Sequence, residues 1–278
     1  MKIDAHQHFW HYSAAEYGWI GPGMELLQKD HLPADLAPHL ESAGIDGTVA
    51  VQARQALAET EWLLTLAAQH PFIKGVVGWL DLCSPDPRSQ LERFCTHRAF
   101  RGVRHVVQDE PDDQFMLRPD FLRGLAALAD FGLTYDLLIV PRHLAVACQI
   151  VERLPDQPFV LDHIAKPVIK DRKLEPWATD IHRLAAFPNV YCKVSGMATE
   201  ADWRRWQALD FRPYLDIVFD AFGPGRIMFG SDWPVCTVAG SYLEVGGILC
   251  DYVQALSAEE QADVWGRTAV RFYKLEQP

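Results

Sequence analysis

Residues 1–10 read M-K-I-D-A-H-Q-H-F-W. The stretch reads as a strand with His6 and His8 two apart at its end. A strand repeats every two residues, so both imidazoles project to one face. Two parallel imidazoles make part of a divalent-metal site, or a pair that polarises a carbonyl. Two surface histidines near a terminus would look the same, so the motif needs partners from later in the chain.

Outward from this strand the chain alternates. Strand-like segments recur at 47–52, 73–82, 100–107, 133–140, 159–165, 189–194 and 226–232. Between them lie segments with apolar residues three or four apart. Trp62/Leu66 and Leu63/Ala67 mark a helix over 59–70; Phe121, Leu125 and Leu128 form one stripe over 119–131. Leu144, Cys148, Val151 and Leu154 do the same over 141–154. Further helices are predicted from Pro33, over 87–97, 176–187 and 203–222, and through the C-terminal part, where Ser257 and Glu260 form a capping-box pattern.

Strands that each lead into a helix imply a parallel sheet. Eight such units in 278 residues match a (β/α)8 TIM barrel, typically about 250 residues long. The rival, an open doubly wound sheet, would carry a glycine-rich phosphate turn after its first strand, where this chain has histidines. Neither a linker nor a repeat interrupts the pattern, so one domain over 1–278 is expected. The long irregular segment 10–32, rich in glycine and aromatics, is expected to pack over the mouth of a site.

In such a barrel the chemistry sits at the C-terminal ends of the strands. Those ends offer His6, His8, Gln52, Arg54, Trp79, Asp81, Arg104, His105, Asp162, His163, Lys193, Ser195 and Asp232 with Trp233 beside it. His163 and Asp232 each stand just before a loop and can converge on the His6/His8 pair. Three imidazoles and one carboxylate suit a single divalent ion such as zinc, held by His6, His8, His163 and Asp232. They equally suit acyl hydrolysis with little help from metal, Asp232 taking a proton from water while the imidazoles polarise the carbonyl. Gln52, Trp79, Arg104, His105 and Trp233 are candidates for binding substrate, with His105 disfavoured by parity if Arg104 points inward. Arg104 could instead pair with a buried carboxylate such as Asp4 or Asp81. Lys166, in the loop after His163, reads as a solvated surface residue.

D-A-H-Q-H-F-W, V-L-D-H-I-A-K-P, Y-C-K-V-S-G-M and F-G-S-D-W-P together resemble the amidohydrolase superfamily, in its sugar-lactonase branch. The likeness runs from residue 2 to about 275, and G-V-R-H-V-V-Q-D-E-P strengthens it toward L-fuconolactonase and L-rhamnonolactonase proteins. The resemblance implies a (β/α)8 fold and hydrolysis of the cyclic ester of a sugar acid, and carries over His6, His8, His163 and Asp232 as the catalytic set. One departure matters. Strand four offers Arg104 and His105, and strand five has no histidine at its end, so a binuclear metal site is not expected. The resemblance admits one divalent ion, zinc first, without requiring it. A metal-dependent decarboxylase of a small unsaturated or aromatic acid is the alternative within the superfamily, and a barrel that only binds a sugar acid the alternative outside enzymes.

Composition narrows the partners. A net charge of -11 with no run of Lys or Arg argues against nucleic acid and anionic membrane. A small neutral substrate, here a sugar lactone, fits better. Six scattered cysteines, none in C-x-x-C, suit reduced thiols in a cytoplasm. No stretch of about 18 apolar residues is present, so no membrane span is expected.

Overall fold

The computed structural model describes residues 1–275. Eight parallel strands run in sequence order: β1 (Ile3–Gln7), β2 (Gly47–Val51), β3 (Ile73–Gly78), β4 (Phe100–His105), β5 (Thr134–Leu137), β6 (Phe159–Leu161), β7 (Val190–Val194) and β8 (Ile227–Phe229). Just past β8 the last segment returns to the first. Trp233 bridges Gln7, the His8 N–H donates to the Trp233 carbonyl (2.7 Å) and the Asp232 N–H to the His6 carbonyl (2.8 Å). The protein is a (β/α)8 barrel. Helices α1 (Pro33–Ala43), α2 (Leu57–Gln69), α3 (Pro87–Phe94), α4 (Pro119–Asp130), α5 (Leu144–Arg153), α6 (Trp177–Ala185), α7 (Ala208–Phe222) and α8 (Tyr242–Val253) alternate with the strands. The short α9 (Ala258–Ala262) begins on the expected box, Ser257 and Glu260 each capping the other's backbone N–H.

Two apolar cores divide the strands by parity. Val103, Tyr135, Phe159, Leu161, Cys192 and Phe229 face the helices. Ile3, Ala5, Val49, Val51, Val77, Val160 and Met228 face inward, where Phe272 at the end of α10 (Thr268–Phe272) joins Tyr273 and Leu275 to close the N-terminal end of the barrel. The segment before α10 lies close on the first strand: a Cβ on Gly266 would fall 2.2 Å from the Met1 carbonyl oxygen.

Regular parity fails once where it matters. The register of β1 against β2 slips between Asp4 and Gln7, so Ala5 and His6 together oppose a single step of β2. Ala5 joins the inner core, His6 meets the inward groups of β4 and β7, yet Asp4 points out to the Tyr242 hydroxyl on α8. The predicted strands 159–165 and 226–232 are also shorter than their apolar runs, stopping at Leu161 and Phe229. Beyond each of these two strands the backbone turns irregular and carries a polar side chain of the site.

Candidate active site

At the C-terminal rim, three imidazoles surround one carboxylate oxygen. Asp232 Oδ1 lies 3.4 Å from His8 Nε2, 3.8 Å from His6 Nε2 and 3.9 Å from His163 Nε2, and the His6 and His8 Nε2 atoms are 3.2 Å apart. All four side chains are buried or nearly so.

Each is aimed by its local backbone. The His8 ring donates from Nδ1 to the Val51 carbonyl at 2.8 Å. A carbonyl only accepts, so the neutral ring presents its Nε2 lone pair to the cluster. Asp232 sits at φ 58, a left-handed conformation uncommon outside glycine, asparagine and aspartate. His163 begins a run of four left-handed residues, His163 (φ 53), Ile164 (φ 48), Ala165 (φ 61) and Lys166 (φ 50). Each such residue costs on the order of 1–2 kcal/mol, so the surroundings must hold the turn. The Trp177 indole donates to the Ile164 carbonyl (2.7 Å) and the Lys166 N–H to the His163 carbonyl (2.8 Å). His163 Nδ1 meets the Ser195 hydroxyl at 2.9 Å. Only glycine fits at 196 beside it, since a Cβ there would approach His163 Nδ1 to 2.6 Å.

Beneath the rim lies a buried charge network. Lys193 Nζ contacts Asp136 Oδ2 (2.5 Å), Asp162 Oδ1 (3.0 Å) and His6 Nδ1 (3.3 Å). Arg104 Nη1 contacts Asp162 Oδ2 (3.0 Å) and His6 Nε2 (3.2 Å), and its Nη2 donates to the Gln52 carbonyl. Asp162 is thus the buried partner of Arg104; Asp4 is taken by Ser231 and Tyr242. Lys193 and Arg104 together balance Asp162 and Asp136, which is how four charges tolerate burial.

Burial sets most of the ionisation here. It lowers the His163 pKa to about 4 and holds that of His6 well below its ordinary value, against the pull of Asp232 and Asp162 respectively. Burial alone would raise Asp232, but His163, His8 and His6, each in its protonated form, together bring its pKa below the ordinary carboxylate value. The imidazolium on His163 that contributes to this exists only in acid. Near neutrality Asp232 is an anion beside a neutral His163, without the imidazolium that would hold it deprotonated.

The cluster opens onto a cavity of about 420 Å³. Its wall includes His8, Arg104, His163 and Asp232 from the strand ends, and Glu16, Gly18 and Trp19 from the long loop before α1. The loop therefore does cover the mouth. It is anchored by the Arg54–Glu16 ion pair and by the Tyr17 hydroxyl, which donates to Glu59 Oε1 (3.2 Å). Burial raises the Glu59 pKa to about 7 against hydrogen bonds from the Arg54 and Ala53 N–H groups.

Other residues singled out in the sequence lie elsewhere. Gln52 is fully buried behind Arg104, donating to its carbonyl at 3.3 Å. Trp79 and His105 stand outside the cavity wall: the indole donates to His105 Nδ1 (3.3 Å), whose other nitrogen meets Glu110 Oε1 (2.6 Å). The unfavourable parity of His105 is the reason. Trp233 packs against Phe9 and His31, away from the cavity, because the left-handed turn at Asp232 swings its neighbour outward. Lys166, which the sequence places at the solvated surface, lines the cavity instead. Its spacing from His163 is visible in the sequence, but the left-handed turn that makes this spacing count is not.

Two sets of side chains have metal-ligating atoms close together: His6, His8 and Asp232, and His6, Asp162 and His163. In the first, separations of 3.2–3.8 Å fit the edges of a tetrahedron with metal–ligand bonds of about 2.0–2.2 Å. In the second, Asp162 already accepts from Lys193 and Arg104, which leaves it a poor ligand.

A parallel barrel with a histidine pair on strand one and an aspartate after strand eight places an enzyme-like polar cluster at the strand ends. A family model described as amidohydrolase matches residues 3–275, and the chain belongs to that family. It is 44% identical over 291 residues to an L-fucono-1,5-lactonase of Burkholderia multivorans, covering all of this chain and 97% of that one. It is 36% identical to an L-fucono-1,5-lactonase of Burkholderia ambifaria, with the same coverage. A crystal structure of a Burkholderia multivorans amidohydrolase with bound zinc superposes with a TM-score of 0.94 at 44% identity, over 99% of this chain and 100% of that one. Among the described residues no helix is long and apolar enough to cross a membrane.

Proposed function

We propose that this chain, acting as one barrel domain, hydrolyses the lactone of a six-carbon sugar acid, of the L-fucono-1,5-lactone type, to the open aldonate. The observation that carries the reading is the single Asp232 oxygen ringed by three imidazole nitrogens at the wall of a sugar-sized cavity. The likeness to two L-fucono-1,5-lactonases supports the substrate class.

In this mechanism the lactone carbonyl lies toward His6, His8 and His163. Asp232 takes a proton from a water whose oxygen adds to the acyl carbon. The ring C–O bond then breaks, and the proton passes from Asp232 to the departing ring oxygen. The new carboxylic acid ionises in water. His6, His8 and Asp232 would hold one divalent ion, zinc by donor chemistry. Such an ion, when bound, supplies Lewis acidity and a more acidic water. Alkoxide leaves an ester more readily than amide anion leaves an amide, so the reaction does not demand that help. Arg104 fixes His6 from one side and borders the cavity from the other.

The test is a pH-indicator assay of purified protein on a panel of sugar lactones that includes L-fucono-1,5-lactone, with and without chelator. Proton release above the spontaneous rate on at least one six-carbon lactone is expected. Absence of hydrolysis across the panel, in metal-supplemented and chelated protein alike, overturns the reading.

A further inference from the structure

Lys166 carries an inference beyond the four clustered residues. Three cationic side chains line the cavity: Arg54, Arg104 and Lys166. Arg54 is paired with Glu16 and Arg104 with Asp162. Among the described residues Lys166 has no carboxylate within ion-pair distance; Glu200 senses its charge from farther away. One cation without a close ion-pair partner therefore faces a cavity that also carries Asp109, Glu110 and Asp232, and whose proposed substrate is neutral.

The backbone that puts it there is unusual. In a tight helical turn of either hand, residues i and i+3 lie on the same face. The left-handed run from His163 to Lys166 thus stacks the imidazole and the ammonium toward one space, and both border the cavity. A right-handed or extended continuation of β6 would not pair them in this way. Four consecutive non-glycine residues in this conformation are a strained arrangement, and strain of this kind persists where the surroundings enforce it, often at functional sites. Here the Trp177 indole and the Ser195 hydroxyl enforce it.

We infer that Lys166 is the anion-binding group of this cavity: it receives the acyl oxygen as negative charge develops on it and then one oxygen of the product carboxylate. The inference rests on the lactonase reading, because that reaction turns a neutral ligand into an anion. The ammonium gains a partner only as the reaction proceeds, so it favours the transition state and the aldonate over the lactone.

The experiment compares wild type with Lys166→Met and Lys166→Asn. Asparagine keeps a neutral side chain and tolerates the left-handed backbone, so it guards against a folding defect in the methionine variant. L-fuconate binding is measured by calorimetry, with the matching neutral alditol as control. Both variants should bind L-fuconate roughly 10- to 100-fold more weakly, as expected for loss of a charge-assisted hydrogen bond. Alditol binding should change less than about threefold. On the lactone, kcat should fall by about 10²-fold with KM nearly constant, and Lys166→Arg should restore most of the aldonate affinity. Aldonate affinity that is unchanged in both neutral variants, or undetectable in wild type, overturns the inference. If no lactone is hydrolysed yet L-fuconate binding still depends on Lys166, the lactonase reading fails and the anion site stands.

Discussion

Two carboxylates lie along the seam where the last barrel segment meets the first strand, and burial treats them alike. Asp4 is fully buried and Asp232 nearly so. Asp4 accepts from the Ser231 N–H (2.9 Å), the Ser231 hydroxyl (2.6 Å) and the Tyr242 hydroxyl (3.0 Å), all neutral donors. Burial outweighs them and its pKa rises to about 6. Asp232 is buried among imidazoles, which outweigh burial and bring its pKa below the usual range. The same side chain becomes a fastener in one place and, near neutrality, a carboxylate anion among imidazoles in the other. Neighbours, not depth, decide which.

The sharpest way to break this contrast is to remove the charge at Asp232. Asp232→Asn should lower kcat on the lactone by about 10³- to 10⁴-fold, near the upper range for a general base. Asparagine also accepts left-handed φ, so the melting temperature should stay within a few degrees. A steady-state assay with a thermal melt on the same sample reads both. Retained turnover would move the base elsewhere.

Asp4 should show the opposite response, in stability rather than rate. Asp4→Ala strands the Ser231 and Tyr242 donors in the core, at about 1–3 kcal/mol each in stability. Denaturant unfolding should show that loss, while turnover per folded molecule stays within about threefold. A large kinetic defect in protein that is still folded would mean that the seam is part of the chemistry.

The contrast also bears on what a sequence can reveal. Eight alternations and inward parity make the barrel readable, and His-x-His, His163 and Asp232 stand out as a cluster because each sits at a strand end. Asp4 and His6 share a sequence parity, however, and only the register slip in β1 sends one outward and the other inward. Lys166 and Trp233 escape the same reading for a related reason: each comes after left-handed residues, and no residue-type pattern announces left-handed backbone at histidine, isoleucine or alanine. Asp136 and Asp162 lie in apolar surroundings along the chain, and their role as counter-ions depends on Lys193 and Arg104 from other strands.

Titration separates the carboxylates in a further way. Glu59, which anchors the long loop, resembles Asp4: its pKa rises from 4.5 to about 7 on folding, because of burial. Between those values the folded protein keeps a proton that the unfolded chain has lost. Stability is therefore favoured below about pH 4.5 and falls as pH climbs to about 7, by something on the order of 3 kcal/mol from this group. Asp232 acts with the other sign, adding stability above 3.8 that is lost in stronger acid. Glu59→Gln should flatten the decline between pH 4.5 and 7 in unfolding experiments. An unaltered slope would show that Glu59 stays ionised in the fold, held by the two backbone donors.

The smallest effect is expected at the pair that lies just outside the cavity wall. Trp79 and His105 are joined at 3.3 Å, and His105 stacks on Phe115 and meets Glu110. Their polar atoms are satisfied by one another and by Glu110, so neither has a donor or acceptor left over for a sugar hydroxyl at the cavity. Trp79→Phe removes one neutral hydrogen bond and part of a ring, so stability should drop by about 1 kcal/mol, with kcat/KM changed less than about twofold. Glu110, which does line the cavity, makes the result informative. If Trp79→Phe raises KM tenfold, the chain from indole to imidazole to Glu110 positions that carboxylate against the substrate, and the boundary between scaffold and site lies one residue farther out than the cavity wall.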